Sequence, residues 1–214
     1  MGQEFTRKYI YDAAQRILHW WLALSTLALM ASGFLASKLD PGSDRAFIWT
    51  LHIGVGKVLV VGVVGRLLWG IIGPHHARFT AFIHIEAWIE SVKSKKMLSA
   101  DGEFGQHPQA SLSYLGFYGL IVFMCASGFS LAGIMHGEGP LAELLLDEFT
   151  YLKIIREVHE YGFWAIVIFI ITHVGALILH EWHDKIPLAQ SIISGFQYRT
   201  NKKKIKKEKS NDHE

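Results

Sequence analysis

Residues 158–174 read Val158-His159-Glu160-Tyr161-Gly162-Phe163-Trp164-Ala165-Ile166-Val167-Ile168-Phe169-Ile170-Ile171-Thr172-His173-Val174. An apolar run of this kind, continued to Leu179, is long enough to cross a hydrocarbon core of about 30 Å, which takes roughly 20 helical residues. Its two histidines are fourteen residues apart, which is close to four helical turns and about 21 Å of rise. On a helix both rings then leave nearly the same face, one near each side of a bilayer. Ionisable side chains inside a span are costly and usually mark function.

Three more spans follow from the same criterion: Ile17–Ala36, Phe47–Ile72 and Leu112–Ile134. His19 and His52 stand near the starts of the first two. Half of the 214 residues are hydrophobic and the mean hydropathy is +0.24, as expected for a membrane protein with sizeable polar connections. The expected fold is all-α: an integral membrane four-helix bundle with no room for a separate soluble enzyme domain. Residues 1–200 form the bundle, and the lysine-rich stretch 201–214 is a basic, disordered cytoplasmic tail. The first apolar run has full span length and no small-residue cleavage site, unlike a signal peptide.

Basic residues decide the orientation. Arg7, Lys8 and Arg16 precede the first span; Arg78, Lys93, Lys95 and Lys96 fill the second connection; eight follow His180. Lys38, Arg45, Lys153 and Arg156 are the four on the opposite side. Both termini are therefore expected in the cytoplasm. The inner connection also holds Phe82, Ile85, Trp88, Ile89 and Val92 at helical spacing, a short amphipathic helix for the membrane surface. The outer connection carries Glu138, Glu143, Asp147, Glu148 and Glu157, an acidic face suited to an external partner or simply a solvated loop.

With alternating spans, His19 and His173 fall at the inner level, and His52 and His159 at the outer. Two imidazoles at each of two depths are the ligand set for two b-type haems. Iron held by two neutral imidazoles has no open coordination position and exchanges one electron with little rearrangement. Arg16 and Arg156 each precede a histidine by one turn, and Arg66 lies near the inner end of the second span. All three are candidates to pair with haem propionates, since guanidinium favours carboxylates. Gly54, Gly56 and Gly162 are candidates to make room for the outer haem. Lys57, deep in the second span, requires a partner. The single Cys125 and the lack of C-x-x-C-H exclude covalent c-type attachment. Nothing beside the basic tail stacks or reads bases, so nucleic acid is not an expected partner.

Two short repeats stand out. Ala31-Ser32-Gly33-Phe34 recurs as Ala126-Ser127-Gly128-Phe129, and Arg16-x-x-His19 recurs as Arg156-x-x-His159. The repeated glycine lets a flat macrocycle or another helix approach the backbone. His180-Glu181-Trp182-His183 at the inner end of the fourth span is a candidate metal or proton-relay cluster, or an ordinary polar helix end.

Nearly the whole chain resembles the cytochrome b subunits of membrane-bound Ni/Fe hydrogenases, within the bacterial cytochrome b561-like group. The resemblance is carried by Tyr9-Ile10-Tyr11-Asp12 with Arg16-Ile17-Leu18-His19-Trp20, by Leu51-His52-Ile53-Gly54 with Arg66-Leu67-Leu68-Trp69, and by Gly105-Gln106-His107-Pro108. His159 with His173, and Ser191 to Arg199, complete it. It implies haem ligation at His19, His52, His159 and His173, a bacterial inner-membrane location, a periplasmic partner such as a hydrogenase small subunit, and quinone as the membrane partner. A homo-oligomer is compatible with it. The competing readings are a stand-alone quinol- or superoxide-reactive cytochrome, a carrier for another periplasmic c-type cytochrome or dehydrogenase, and a haem-free transporter. No nucleotide-binding, hydrolase or nucleophile motif is present, so substrate oxidation belongs to a partner.

Overall fold

A computed structural model describes residues 5–83, 108–145, 149–184 and 187–200. The expected surface helix from Phe82 to Val92 lies almost wholly outside the described residues, as do the tail 201–214 and the acidic pair Asp147 and Glu148. Four long helices dominate: α1 (Ala13–Lys38), α2 (Ser43–Ile72), α3 (Pro108–His136) and α5 (Leu152–Asp184). The short α4 (Ala142–Leu145) and α6 (Ala189–Ser194) sit in the connections. All four long helices are apolar and long enough to cross a membrane. Each exceeds the expected span, running roughly 40–50 Å at 1.5 Å per residue. The fourth begins two turns earlier than expected, so Lys153 and Glu157 become an i,i+4 pair at 4.0 Å.

The packing divides into halves. Helix α1 packs chiefly on α2, and α3 on α5, while α2 against α3 joins the halves; α5 makes no comparable contact with α1 or α2. Between helices in lipid, close packing and backbone satisfaction replace the hydrophobic drive available in water. Gly62 illustrates it. The Trp21 indole lies over that glycine and donates to the Val58 carbonyl at 2.9 Å, and a Cβ on Gly62 would meet Trp21 Cδ1 at 2.5 Å. Ser32, Ser127 and Thr172 inside the spans donate to the carbonyl one turn back, Thr172 to Ile168 at 2.7 Å.

All four helices meet in one small core of Leu22, Leu59, Val63, Ile121 and Ile166. Its position follows from the sequence spacing. Ile166 is seven residues from both His159 and His173, and Leu59 seven from both His52 and Arg66. Seven residues is about two turns, so this plug sits on the histidine face, midway between the two levels.

One departure from the all-α expectation lies at the end of the bundle that the basic residues lead one to expect inside. β1 (Phe5–Tyr9) pairs antiparallel with β2 (Phe196–Thr200). The pairing holds both chain ends on one side of the bundle. Ile10 N and Tyr11 N both donate to the Gly195 carbonyl, at 2.9 and 3.1 Å. Asp12 caps α1 by accepting from Gln15 N at 2.9 Å, and its other oxygen accepts from Trp69 Nε1 at 3.2 Å. Three of the motifs that carry the resemblance therefore converge on one inner-face lock.

Gly195 has φ +86°, and a Cβ there would lie 2.7 Å from the Tyr11 carbonyl oxygen and 2.6 Å from Tyr9 Cε2. Left-handed backbone costs a substituted residue about 1–2 kcal/mol, and the clash with backbone adds to it. Gly195→Ala is expected to free the strand pair while the four spans persist. Amide exchange at Ile10 and Tyr11 should accelerate with helical circular dichroism unchanged; unchanged exchange would refute the lock.

Candidate functional site

The four histidines fall on three helices: His19 on α1, His52 on α2, and His159 and His173 on α5. All are half-buried. His19 and His173 are close enough for one ring's charge to act on the other, and so are His159 and His52. These are the two pairs expected from depth. Each pair spans the division between the halves, where α5 faces α1 and α2 without packing tightly on them.

The outer pair is held by the repeated tetrapeptide. Ser32 Oγ lies 3.0 Å from His52 Nδ1, and Ser127 Oγ lies 2.8 Å from His159 Nδ1. The glycine after each serine lets the same ring approach. A Cβ on Gly33 would come within 3.2 Å of His52 Cε1, and one on Gly128 within 3.3 Å of His159 Cε1. The repeat therefore serves as two equivalent clamps, one per outer histidine. Sequence reasoning found the repeat but assigned only its glycine, to a macrocycle or a helix. The partner is the imidazole, and the serine's part in it was missed. Of the other glycines, Gly162 makes way for Met124, whereas a Cβ added at Gly54 would meet nothing within 4 Å.

The inner pair is held by rings. His173 stacks on Phe169, centroids 5.6 Å apart, and meets the Tyr114 edge at 6.0 Å. His19 meets the Trp20 edge at 5.6 Å. Among the described residues neither inner ring has a hydrogen bond of the serine kind.

The arginines differ. Arg66 is 2 % exposed; its Nε donates to Tyr118 Oη at 3.0 Å, and its guanidinium lies over the Phe79 and Tyr118 rings at 4.8 and 5.1 Å. It is turned inward and not toward lipid headgroups. Fourteen residues beyond His52, it stands at the inner level. Arg16 Nη1 donates to the Ile193 carbonyl at 2.6 Å, tying α1 to α6, and lines a groove of about 430 Å³ with Trp20 and Ile17. Arg156 is exposed near the outer end of α5.

Lys57 has the partner that the sequence could not name. Its Nζ lies 2.7 Å from Glu138 Oε2. Glu138 sits in the outer loop, which folds back on α3 with Gly137 and Gly139 at φ 61° and 94°; the ion pair thus latches that loop across to α2. The hydrogen bond and charge of Lys57 hold the Glu138 carboxyl below its usual 4.5. A carboxylate held low contributes stability above its unfolded value and loses it as pH falls through the lower folded value. The loop is therefore expected to open below the ordinary carboxylate range. Limited proteolysis within residues 137–145 should rise in acid for the wild type and be raised already at neutral pH in Glu138→Gln; equal cleavage of both at neutral pH would remove the latch.

His180 and His183 do not form a metal cluster with Glu181. Among the described residues no group of three metal-binding side chains is present, and Glu181 Oε1 instead accepts from Ala189 N at 2.6 Å, anchoring the start of α6.

Residues 10–195 match the family described as prokaryotic cytochrome b561. The chain belongs to that family. Similar proteins include three named probable Ni/Fe-hydrogenase B-type cytochrome subunits. That of Azotobacter chroococcum mcd 1 is 28% identical, over 92% of each chain. That of Rhodobacter capsulatus is 29% identical, over 89% of this chain and 81% of its own. The one from Escherichia coli K12, of hydrogenase 1, is 25% identical over 94% and 95%. A prokaryotic cytochrome b561 with four apolar helices is a multi-pass b-type cytochrome of the bacterial inner membrane, and haem b is its cofactor. The residues present suit that group. Each outer histidine has one ring nitrogen engaged by a serine, which leaves the other for a metal, and the loosely packed division between the halves lies among the helices that carry the four histidines.

Proposed function

We propose that this cytochrome holds two haem b groups and carries electrons across the membrane between a periplasmic dehydrogenase, a Ni/Fe hydrogenase, and the quinone pool. What supports the reading is the placement of four histidines on three apolar helices, His52 within charge range of His159 and His19 of His173, with Ser32 and Ser127 on Nδ1 of the first pair. His19, His52, His159 and His173 would hold the haem b, which would supply an iron that takes up and releases one electron with little rearrangement. The chain's own residues do the rest. Serines and aromatic rings orient the imidazoles, the Leu59–Ile166 plug keeps water from the path between the levels, and Arg66 and Arg16 at the inner level and Arg156 at the outer supply positive charge toward propionates. The hydrogenase partner rests on the names of the similar proteins and on the acidic outer loop.

The test is purification in mild detergent. Two haem b per chain by pyridine haemochrome, a sharp reduced-minus-oxidised α band, and co-purification with periplasmic hydrogenase subunits are the expected results. A chain with no b-type band would end the cytochrome reading. A di-haem chain that reacts with quinol or superoxide and never holds a periplasmic partner would end the hydrogenase reading alone.

A further inference from the structure

A serine hydroxyl has one proton to donate. Ser32 directs it to the Ala28 carbonyl at 2.8 Å, and Ser127 to the Phe123 carbonyl at 2.9 Å. With its proton on a helix carbonyl, each serine turns a lone pair toward its histidine, 3.0 Å from His52 Nδ1 and 2.8 Å from His159 Nδ1. The tautomer that completes this arrangement carries its hydrogen on Nδ1. Nε2 of both rings then keeps its lone pair. A metal-bound imidazole whose N–H is given an acceptor becomes a more basic ligand and favours the ferric over the ferrous state.

We propose that Ser32 and Ser127 are paired positioning residues that hold both outer imidazoles as Nδ1–H tautomers, present Nε2 for coordination and lower the reduction potential of the outer site. The inference rests on the di-haem reading above. The inner level is its internal control, because His19 and His173 are set by aromatic packing and, among the described residues, by no such hydroxyl. The two clamps act on opposite ligands of one site, so their effects on its potential add.

The experiment is a spectroscopic redox titration of the purified full-length protein and of Ser32→Ala, Ser127→Ala, the double variant, and Ser32→Thr and Ser127→Thr. In a helix, threonine keeps a hydroxyl that can bond the carbonyl one turn back. The expected result is an upward shift of the outer midpoint in each alanine variant, roughly doubled in the double variant, with the inner midpoint unmoved and both threonine variants near wild type. If alanine instead empties the outer site, threonine variants that keep it at the wild-type potential support the same role. Outer midpoints unchanged by alanine, or threonine variants behaving as alanine does, overturn the proposal. A wild type without two b-type midpoints would fail the di-haem reading itself, which the wild-type titration shows separately.

Discussion

His52→Ala and His159→Ala are each expected to retain one haem b per chain in place of two, with the reduced-minus-oxidised α band falling by about half. His19→Ala and His173→Ala should do the same at the other level, leaving the outer signal. The selectivity comes from the architecture. His159 and His173 share α5, yet each faces a histidine from a different helix. Between the levels all four helices close on Leu22, Leu59, Val63, Ile121 and Ile166. A lost outer ligand therefore leaves the packing beneath it intact. Haem stoichiometry by pyridine haemochrome, with helical circular dichroism as a check on folding, reads the result. A folded His159→Ala protein that has lost both haems would show that the levels are not independent. One that keeps both would take His159 out of the ligand set.

Valine at Gly33 or Gly128 should be nearly as damaging, and only at the outer level. The ideal Cβ at each position already stands 3.2 or 3.3 Å from the imidazole Cε1 of His52 or His159. Alanine would ask the ring to give by a few tenths of an ångström, and the serine bond restrains it. The two γ-methyls of valine leave the ring nowhere to stay. Overpacking of this kind typically costs 1–3 kcal/mol, about 5- to 150-fold in an equilibrium, and here it falls on the ring that must be aimed. Gly33→Val and Gly128→Val are expected to lose the outer haem, and the alanine variants to bind it weakly. Gly119→Ala on α3 is the control, with nothing within 4 Å of the added carbon. Haem titration of each variant decides: equal loss from Gly119→Ala and Gly128→Val would mean that any glycine change in these spans disturbs the bundle.

Much of this was legible without coordinates. The spans follow from apolar length against bilayer thickness, and the two levels from helical rise, both of which are local properties of a chain in a membrane. The inner-face motifs were visible as strings, but their meeting was not. Asp12 and Trp69 are 57 residues apart, and nothing in either stretch announces the other. The strand pair was missed for the same reason: Phe5–Tyr9 and Phe196–Thr200 lie at opposite ends of the chain, and each alone is too short to show alternation. Glu138 as the partner of Lys57 depends on an outer loop folding back over α3 at two glycines with positive φ, which composition does not reveal.

By itself the sequence determined the four runs long enough to cross a membrane, which the four long helices match, and it supplied the expected depth of each histidine. These rest on periodicity, length and residue type, which are written along one dimension. Only the tertiary structure decided what the repeated Ala-Ser-Gly-Phe is for, since a hydroxyl 20 or 32 residues from an imidazole becomes its partner only when two helices cross at that residue. It also turned Arg66 inward onto Tyr118 and Arg16 onto Ile193. A long charged side chain at a helix end has several directions open to it, and the neighbouring helices choose among them.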